Sequence, residues 1–175
     1  FINYLMAPKT YHLIIGSNLG DRLAQLATAR KEIVSDIGQI IRESEIYETQ
    51  PWGYADQPWF LNQALEVQSN LDPFKAIERL NKIEVKTGRT PGEKWHARHM
   101  DIDIILCGSD VIHEQGLEIP HPHMAERNFV LVPLMEIAPE TLHPVLGKTI
   151  EELYFESRDK GEVYIFNPDE QNNPL

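Results

Sequence analysis

The spacing of apolar residues along this chain switches repeatedly between a period of two and a period near 3.6, the signatures of strands and helices. TYHLIIGSN, residues 10–18, alternates and is rich in branched side chains, and Gly16-Ser17-Asn18 predicts that this first strand ends in a turn. From about Leu19 to Ile37, the residues Leu23, Leu26, Ala27, Ile33, Val34 and Ile37 recur at helical spacing. Arg30 is the polar interruption of that face, and Gly38 ends the run. QIIRESEIYET sets Ile40, Arg42, Ser44 and Ile46 against Ile41, Glu43, Glu45 and Tyr47, and FLNQALEVQS puts Leu61, Leu65 and Val67 on one side. Both stretches predict strands with one largely polar face. Between them lies QPWGYADQPW, longer than a hairpin needs, and long loops in compact domains are often functional.

Asp72 as N-cap and Pro73 at the first helical position open a second helix, in which Phe74, Ile77, Leu80, Ile83 and Thr87 keep the 3.6 period until Gly88. RTPGEKWHAR then leads into a strand, HMDIDIIL. The order β-α-β-β-α-β is that of the split-βαβ, ferredoxin-like α+β fold: an antiparallel sheet with both helices on one side. C-terminal additions follow: a GSD turn, the segment IPHPHMAERN, helical stretches around Phe129 to Ala138 and Thr149 to Ser157, and an edge strand EVYIF. Residues 1–9 read as an extension, 10–166 as a single domain, and 167–175 as a frayed polar tail.

HMDIDIIL is the informative segment. Alternation places Met100, Ile102, Ile104 and Leu106 under the helices and Asp101 and Asp103 on the opposite face, about 7 Å apart at roughly 3.3 Å per residue. Like charges that close raise each other's pKa unless a cation intervenes. Mg²⁺, held by one or two carboxylates plus water and phosphate oxygens, is one answer. Two solvent-facing acids that keep an edge soluble are the other.

The chain of 175 residues is long enough for one core, and its 42% hydrophobic and 25% charged content is that of an ordinary globular protein. A single cysteine, Cys107, leaves no internal disulfide framework, and a reducing, cytoplasmic setting is expected. No apolar run is long enough to span a membrane. A net charge of -11 argues against general nucleic-acid binding. Basic residues nevertheless gather at Lys75, Arg79, Lys82, Lys86, Arg89, Lys94 and Arg98, against Glu78, Glu84 and Glu93, which points to a small, highly charged anion. Arg89, Lys94, Trp95 and Arg98 precede the paired acids and would offer cations for phosphate and a ring for a base.

GSNLGDR, YETQPWGYADQPWFLN, GRTPGEKWHARHMDIDIIL and IPHPHMAERNFVLVPLMEIAPE resemble, in order and spacing, the 6-hydroxymethyl-7,8-dihydropterin pyrophosphokinases of folate biosynthesis, from about Tyr11 to Leu153. The resemblance implies the same ferredoxin-like sandwich and transfer of the β,γ-diphosphate of ATP to the pterin hydroxymethyl group, leaving AMP, with two Mg²⁺ ions. It implies that Asp101 and Asp103 bridge both ions and that Arg89 and Arg98 grip phosphates, with Lys94 on a loop. Glu84, Trp95, Ile104 and His121 would bound the nucleotide and Arg127 the triphosphate. The pterin would meet Asn18, Thr49, Pro51, Trp52, Phe60, Asn62 and Phe129. It also raises proximity to, or fusion with, other folate-pathway enzymes.

Taken without the resemblance, Trp52, Phe60 and Phe129 read as core and His121 as a structural hydrogen-bonding residue, leaving Asn62 as the oddity of its strand. The sequence departs from the family pattern at Pro91 and Lys94, where arginines are common, at His96, at Pro122, where an aromatic residue is common, and at Phe60, where tyrosine is. Lys94 keeps the charge without the bidentate fork, so weaker or slower closure of its loop is expected. Mg-ATP is expected to bind first and order residues 49–59 and 88–97. Two other classes compete: a DxD metal-dependent phosphohydrolase or nuclease, and a non-catalytic ferredoxin-like ligand sensor or RNA-binding module. Glu43, Glu45 and Glu66 disfavour RNA, and zinc at His121, His123 and His143 lacks a completing ligand. No residue stands out as a general base.

Overall fold

A computed structural model describes residues 7–88 and 100–169 of the chain. Eight strands and four helices follow in the order β1 (Lys9–Ser17), α1 (Arg22–Asp36), β2 (Gln39–Glu43), β3 (Tyr47–Thr49), β4 (Phe60–Ser69), α2 (Pro73–Lys86), β5 (Asp101–Cys107), β6 (Ile112–Glu114), β7 (Leu117–Ile119), α3 (Asn128–Ile137), α4 (Ile150–Glu156) and β8 (Val163–Ile165). The main sheet runs β5-β1-β4-β3-β8, with β2 beside β3 on the same edge of β4, and its pairings are antiparallel. Taking β2 and β3 as one interrupted strand, this is the ferredoxin-like order expected from the element sequence. The hairpin β6-β7 is a separate small sheet that alternation in the sequence did not reveal.

The helices start where short polar side chains can accept from their free N–H groups. Asp21 accepts from the Ala24 amide, and Asp72 from the amides of Phe74 and Lys75 ahead of Pro73. Thr149 and Glu152 form a reciprocal capping box on α4. Gly88, at φ 96°, follows the end of α2 as a left-handed glycine should.

Two cores sandwich the sheet. On one side α1 and α2 bury Leu26, Ala29, Ile33, Ala76, Leu80 and Ile83 against Leu13, Ile15, Leu61, Leu65, Ile102 and Ile104. On the other, α3 and α4 bury Val130, Leu131, Leu134 and Leu153 against Ile14, Ala64, Ile105 and Leu106. The C-terminal additions therefore form a third layer over part of the face that carries the aspartates.

Several periodicity readings shift. In α1 the buried strip is Leu26, Ala29, Ile33 and Ile37, while Leu23 and Val34 are 38% and 57% exposed. Arg30 keeps its place on the inward strip, where its Nη1 donates to Gln63 Oε1 at 2.7 Å. In α2, Phe74 is exposed, whereas Ala76 and Glu84 are buried. The stretch read as one strand from Gln39 to Thr49 is two: Ser44 interrupts it, its hydroxyl accepting from the Ala64 amide at 2.9 Å. Leu106 does not share a face with Ile104. His12 pairs with Leu106 and Leu13 with Ile104, so Ile105 is the extra residue of a β-bulge that turns Leu106 to the α3 side. Gly16 and Ser17 lie within β1, and the turn begins after them.

Candidate active site

The β5 bulge lies beyond the two carboxylates, so the expected alternation holds where it matters. Met100, Ile102 and Ile104 enter the core under α1 and α2, while Asp101 and Asp103, half-buried, line a cavity on the other face. Register carries that face across the sheet. Asp101 stands beside Gly16, and Gly16 beside Asn62; Asp103 stands beside Ile14, and Ile14 beside Ala64. Gly16 is required by this packing, since a Cβ there would sit 2.2 Å from Asn62 Oδ1. A glycine inside a strand signals such close approach.

The cavity has about 590 Å³ of space between its walls, part of it open to solvent. Its walls include Thr49, Trp52, Phe60, Asn62, Asp101, Asp103, Arg127 and Phe129. Asn62 Nδ2 donates to Thr49 Oγ1 at 2.6 Å, which fixes the amide with its oxygen over Gly16. Phe129 and Trp52 flank Arg127, whose guanidinium carbon lies 5.7 and 4.3 Å from the two ring centres. Arg127 is only 8% exposed, and its Nε has no hydrogen-bond partner among the described residues. Burial lowers its pKa, and Asp103 and Asp101 oppose that effect. A buried cation facing two carboxylates across a flat-walled cavity suits an aromatic ligand that ends in an anionic or metal-bound group.

A second cleft adjoins the first. Asp103, Ile104, His121, Pro122 and residues of the β6-β7 hairpin line it, so Asp103 borders both. His121 Nδ1 accepts from the His123 amide at 3.2 Å. Burial foremost, then the Arg127 charge, pushes His121 down to about 4, so it is neutral at pH 7. Where an aromatic side chain was expected, this cleft is lined by the Pro122 ring.

Other residues singled out in the sequence play supporting parts. Asn18 does not line the cavity; its Nδ2 donates to Gln57 Oε1 at 3.0 Å and to the Pro58 carbonyl at 2.8 Å, holding the loop after Trp52. Pro51 lines a neighbouring cleft with Trp52 and Phe129. Glu84, 3% exposed, accepts from the Ile102 amide at 2.7 Å and so ties α2 to the strand that bears the aspartates. Arg127 lines the first cavity, not the cleft of His121. Gly16, Gln50 and Gln57, which sequence reading passed over, line the cavity too. Arg89, Pro91, Lys94, Trp95, His96 and Arg98 lie outside the described residues.

The α2 members of the basic cluster have partners on the protein surface. Lys75 and Lys82 pair with Glu78, Lys86 pairs with Glu32, and Arg79 donates to the Asp36 carbonyl, all from the helix's exposed side. These are solvated helix-surface contacts of small energetic weight. His143 is likewise structural, its Nδ1 accepting from the amides of Val145 and Leu146.

Among the described residues no group of three or more His, Cys, Asp or Glu side chains converges on one point. A metal here would take Asp101 and Asp103 and complete its shell with water and phosphate oxygens, a donor set that suits Mg²⁺ better than zinc. No helix among the described residues is long and apolar enough to cross a membrane.

Comparison with known proteins agrees with this geometry. The 2-amino-4-hydroxy-6-hydroxymethyldihydropteridine pyrophosphokinase of Aquifex aeolicus is 36% identical over 143 residues, covering 82% of this chain and 89% of the relative. That of Bacillus subtilis is 42% identical over 127 residues, covering 72% and 76%. Among solved structures, a triple mutant of Plasmodium falciparum HPPK-DHPS superposes with a TM-score of 0.72 at 19% identity, over 88% of this chain. This chain covers only 45% of that longer one, so the likeness speaks for the fold alone. Residues 12–139 match the model of 7,8-dihydro-6-hydroxymethylpterin-pyrophosphokinase, and the chain belongs to that family, HPPK.

Proposed function

We infer that this protein transfers the β,γ-diphosphate of ATP to the hydroxymethyl group of 6-hydroxymethyl-7,8-dihydropterin, releasing AMP, in folate biosynthesis. The observation that carries the reading is the shared border at Asp103. An aromatic-walled cavity, with Asn62 and Thr49 at its polar edge, meets a second cleft at the paired carboxylates. A flat pterin fits the first, and a nucleotide reaching past His121 and Ile104 fits the second. The hydroxymethyl group and the phosphate chain would then meet over Asp101 and Asp103.

Phosphoryl transfer asks a protein mainly for alignment and charge neutralisation. Trp52, Phe60 and Phe129 hold the bicycle by its faces, and Asn62, fixed by Thr49, reads its edge. Asp101 and Asp103 would hold Mg²⁺, which supplies neutralisation of the phosphate oxygens when bound. Arg127, buried and within electrostatic reach of Asp103 and Asp101, gains a strong partner when anionic phosphate arrives. Arg89, Lys94 and Arg98 add cations from the 89–99 segment, and Trp95 a surface for the base. Glu84 keeps the aspartate strand in place from behind.

The reading carries a cytoplasmic setting and a place beside other folate enzymes, either as neighbours or as fused domains. The decisive assay is AMP release from ATP. It is expected to require both Mg²⁺ and the pterin, and to fall to background in Asp101→Ala. AMP or phosphodiester cleavage that proceeds equally well without pterin would transfer the chain to the phosphohydrolase class.

A further inference from the structure

The segment after α4 does more than finish the sheet. No side chain at the Arg127 cap position caps α3, yet the helix begins beside the cavity and presents Arg127 and Phe129 to it. The free N–H of Asn128 is taken instead by Asp159, thirty-one residues later, whose Oδ2 lies 2.8 Å away. Asn128 Nδ2 returns a bond of 3.0 Å to the Asp159 carbonyl. The other carboxylate oxygen, Oδ1, accepts from the Gly161 amide at 2.9 Å. A carboxylate there also suits the positive end of the helix dipole.

From Gly161 the chain goes directly to the opposite wall. The Gln50 amide donates to the Glu162 carbonyl at 3.0 Å, and β8 pairs with β3 with Thr49 opposite Val163. Thr49 and Gln50 line the same cavity as Arg127 and Phe129. One short segment therefore spans both walls, and Asp159 is where it grips the first. Asp159 is not among the cavity's lining residues; it borders the neighbouring cleft instead.

We propose that Asp159 is a positioning residue for the pterin, setting the separation of the Arg127–Phe129 wall from the Thr49–Gln50 wall. This rests on the pyrophosphokinase reading above. Loss of its carboxylate releases the first turn of α3 and loosens the Phe129 ring, so the pterin is held less well while the second cleft, built on β5 and the β6-β7 hairpin, is untouched.

The test is steady-state kinetics of the full chain, with each substrate varied at saturation of the other. Asp159→Ala is expected to raise KM for 6-hydroxymethyl-7,8-dihydropterin roughly twofold to thirtyfold, the range set by loss of a helix cap. KM for ATP should rise distinctly less, through Arg127 beside the released turn. Asp159→Asn, which keeps an acceptor for the Asn128 amide, should recover most of the pterin affinity. Asn128→Ala, which removes only the return bond, provides a milder second measurement should Asp159→Ala not fold, and a smaller rise in pterin KM is expected. An unchanged pterin KM in these variants, or equal rises for both substrates, overturns the proposal. Lack of pterin-dependent AMP release in the parent chain would instead overturn the pyrophosphokinase reading itself.

Discussion

Gly16→Ala is the most direct probe of the cavity floor. The new Cβ would lie 2.2 Å from Asn62 Oδ1 and 3.3 Å from the carbon bearing it. Ordinary contact needs about 1 Å more, so the amide must move by about that distance. Asn62 is 4% exposed and bonded to Thr49 at 2.6 Å, so a 1 Å shift breaks a buried hydrogen bond. Breaking such a bond costs about 1–3 kcal/mol, as does overpacking a well-filled site. Gly16 is not one of the positive-φ glycines, so backbone strain adds nothing. Thermal unfolding should drop by about 2–10 °C. The misplaced amide should raise pterin KM roughly fivefold to a hundredfold, with ATP KM little changed. Adding Asn62→Ala removes the clash, so the double variant should regain stability without regaining pterin affinity, a non-additivity expected of touching residues. A Gly16→Ala protein with parental melting temperature and pterin KM would refute the argument that this notch positions Asn62.

Three further outcomes are expected. His12, 4% exposed, has its pKa lowered chiefly by burial, against the pull of Glu66 3.1 Å away. Folded His12 takes up a proton less readily than the unfolded chain does near 6.5, so stability is full above that pH and declines as pH falls below it. Melting curves from pH 7.5 to 5 should show this decline, and His12→Gln should flatten it; an identical slope in both proteins would remove His12 from the account. Thr149→Ala, which deletes half of the α4 capping box, should cost about 1 kcal/mol in denaturant unfolding with the pterin KM unaltered. Lys94→Arg restores a bidentate fork and should raise turnover or tighten ATP, and steady-state rates equal to the parent's would count against a closing role for that side chain.

Local rules carried the reading of this chain a long way. Asp72-Pro73 announces α2 because cap and proline chemistry act within one turn, and FLNQALEVQS coincides with β4 because alternation over ten residues has few other solutions. The element order sufficed for the ferredoxin-like core, and Asp101 and Asp103 were legible as a pair because one strand forces them onto one face. What stayed hidden depends on partners distant in sequence. Gln63, the partner that satisfies Arg30 on the inward strip, lies thirty-three residues away, and Leu106 changed faces because β1 and β5 meet with an odd residue. The α2 lysines proved to be engaged in surface ion pairs, since composition cannot tell which side of a helix meets the sheet. Gly16 became a site residue only when Asn62 was laid across it, and the bond from the Asn128 amide to Asp159 formed only when the segment after α4 returned to α3. The sequence by itself determined which elements form and which chemistry they carry, because propensity, capping and alternation are short-range. The tertiary structure decided which side chains meet around one cavity, because that follows from strand register and helix placement, set by packing across the whole core.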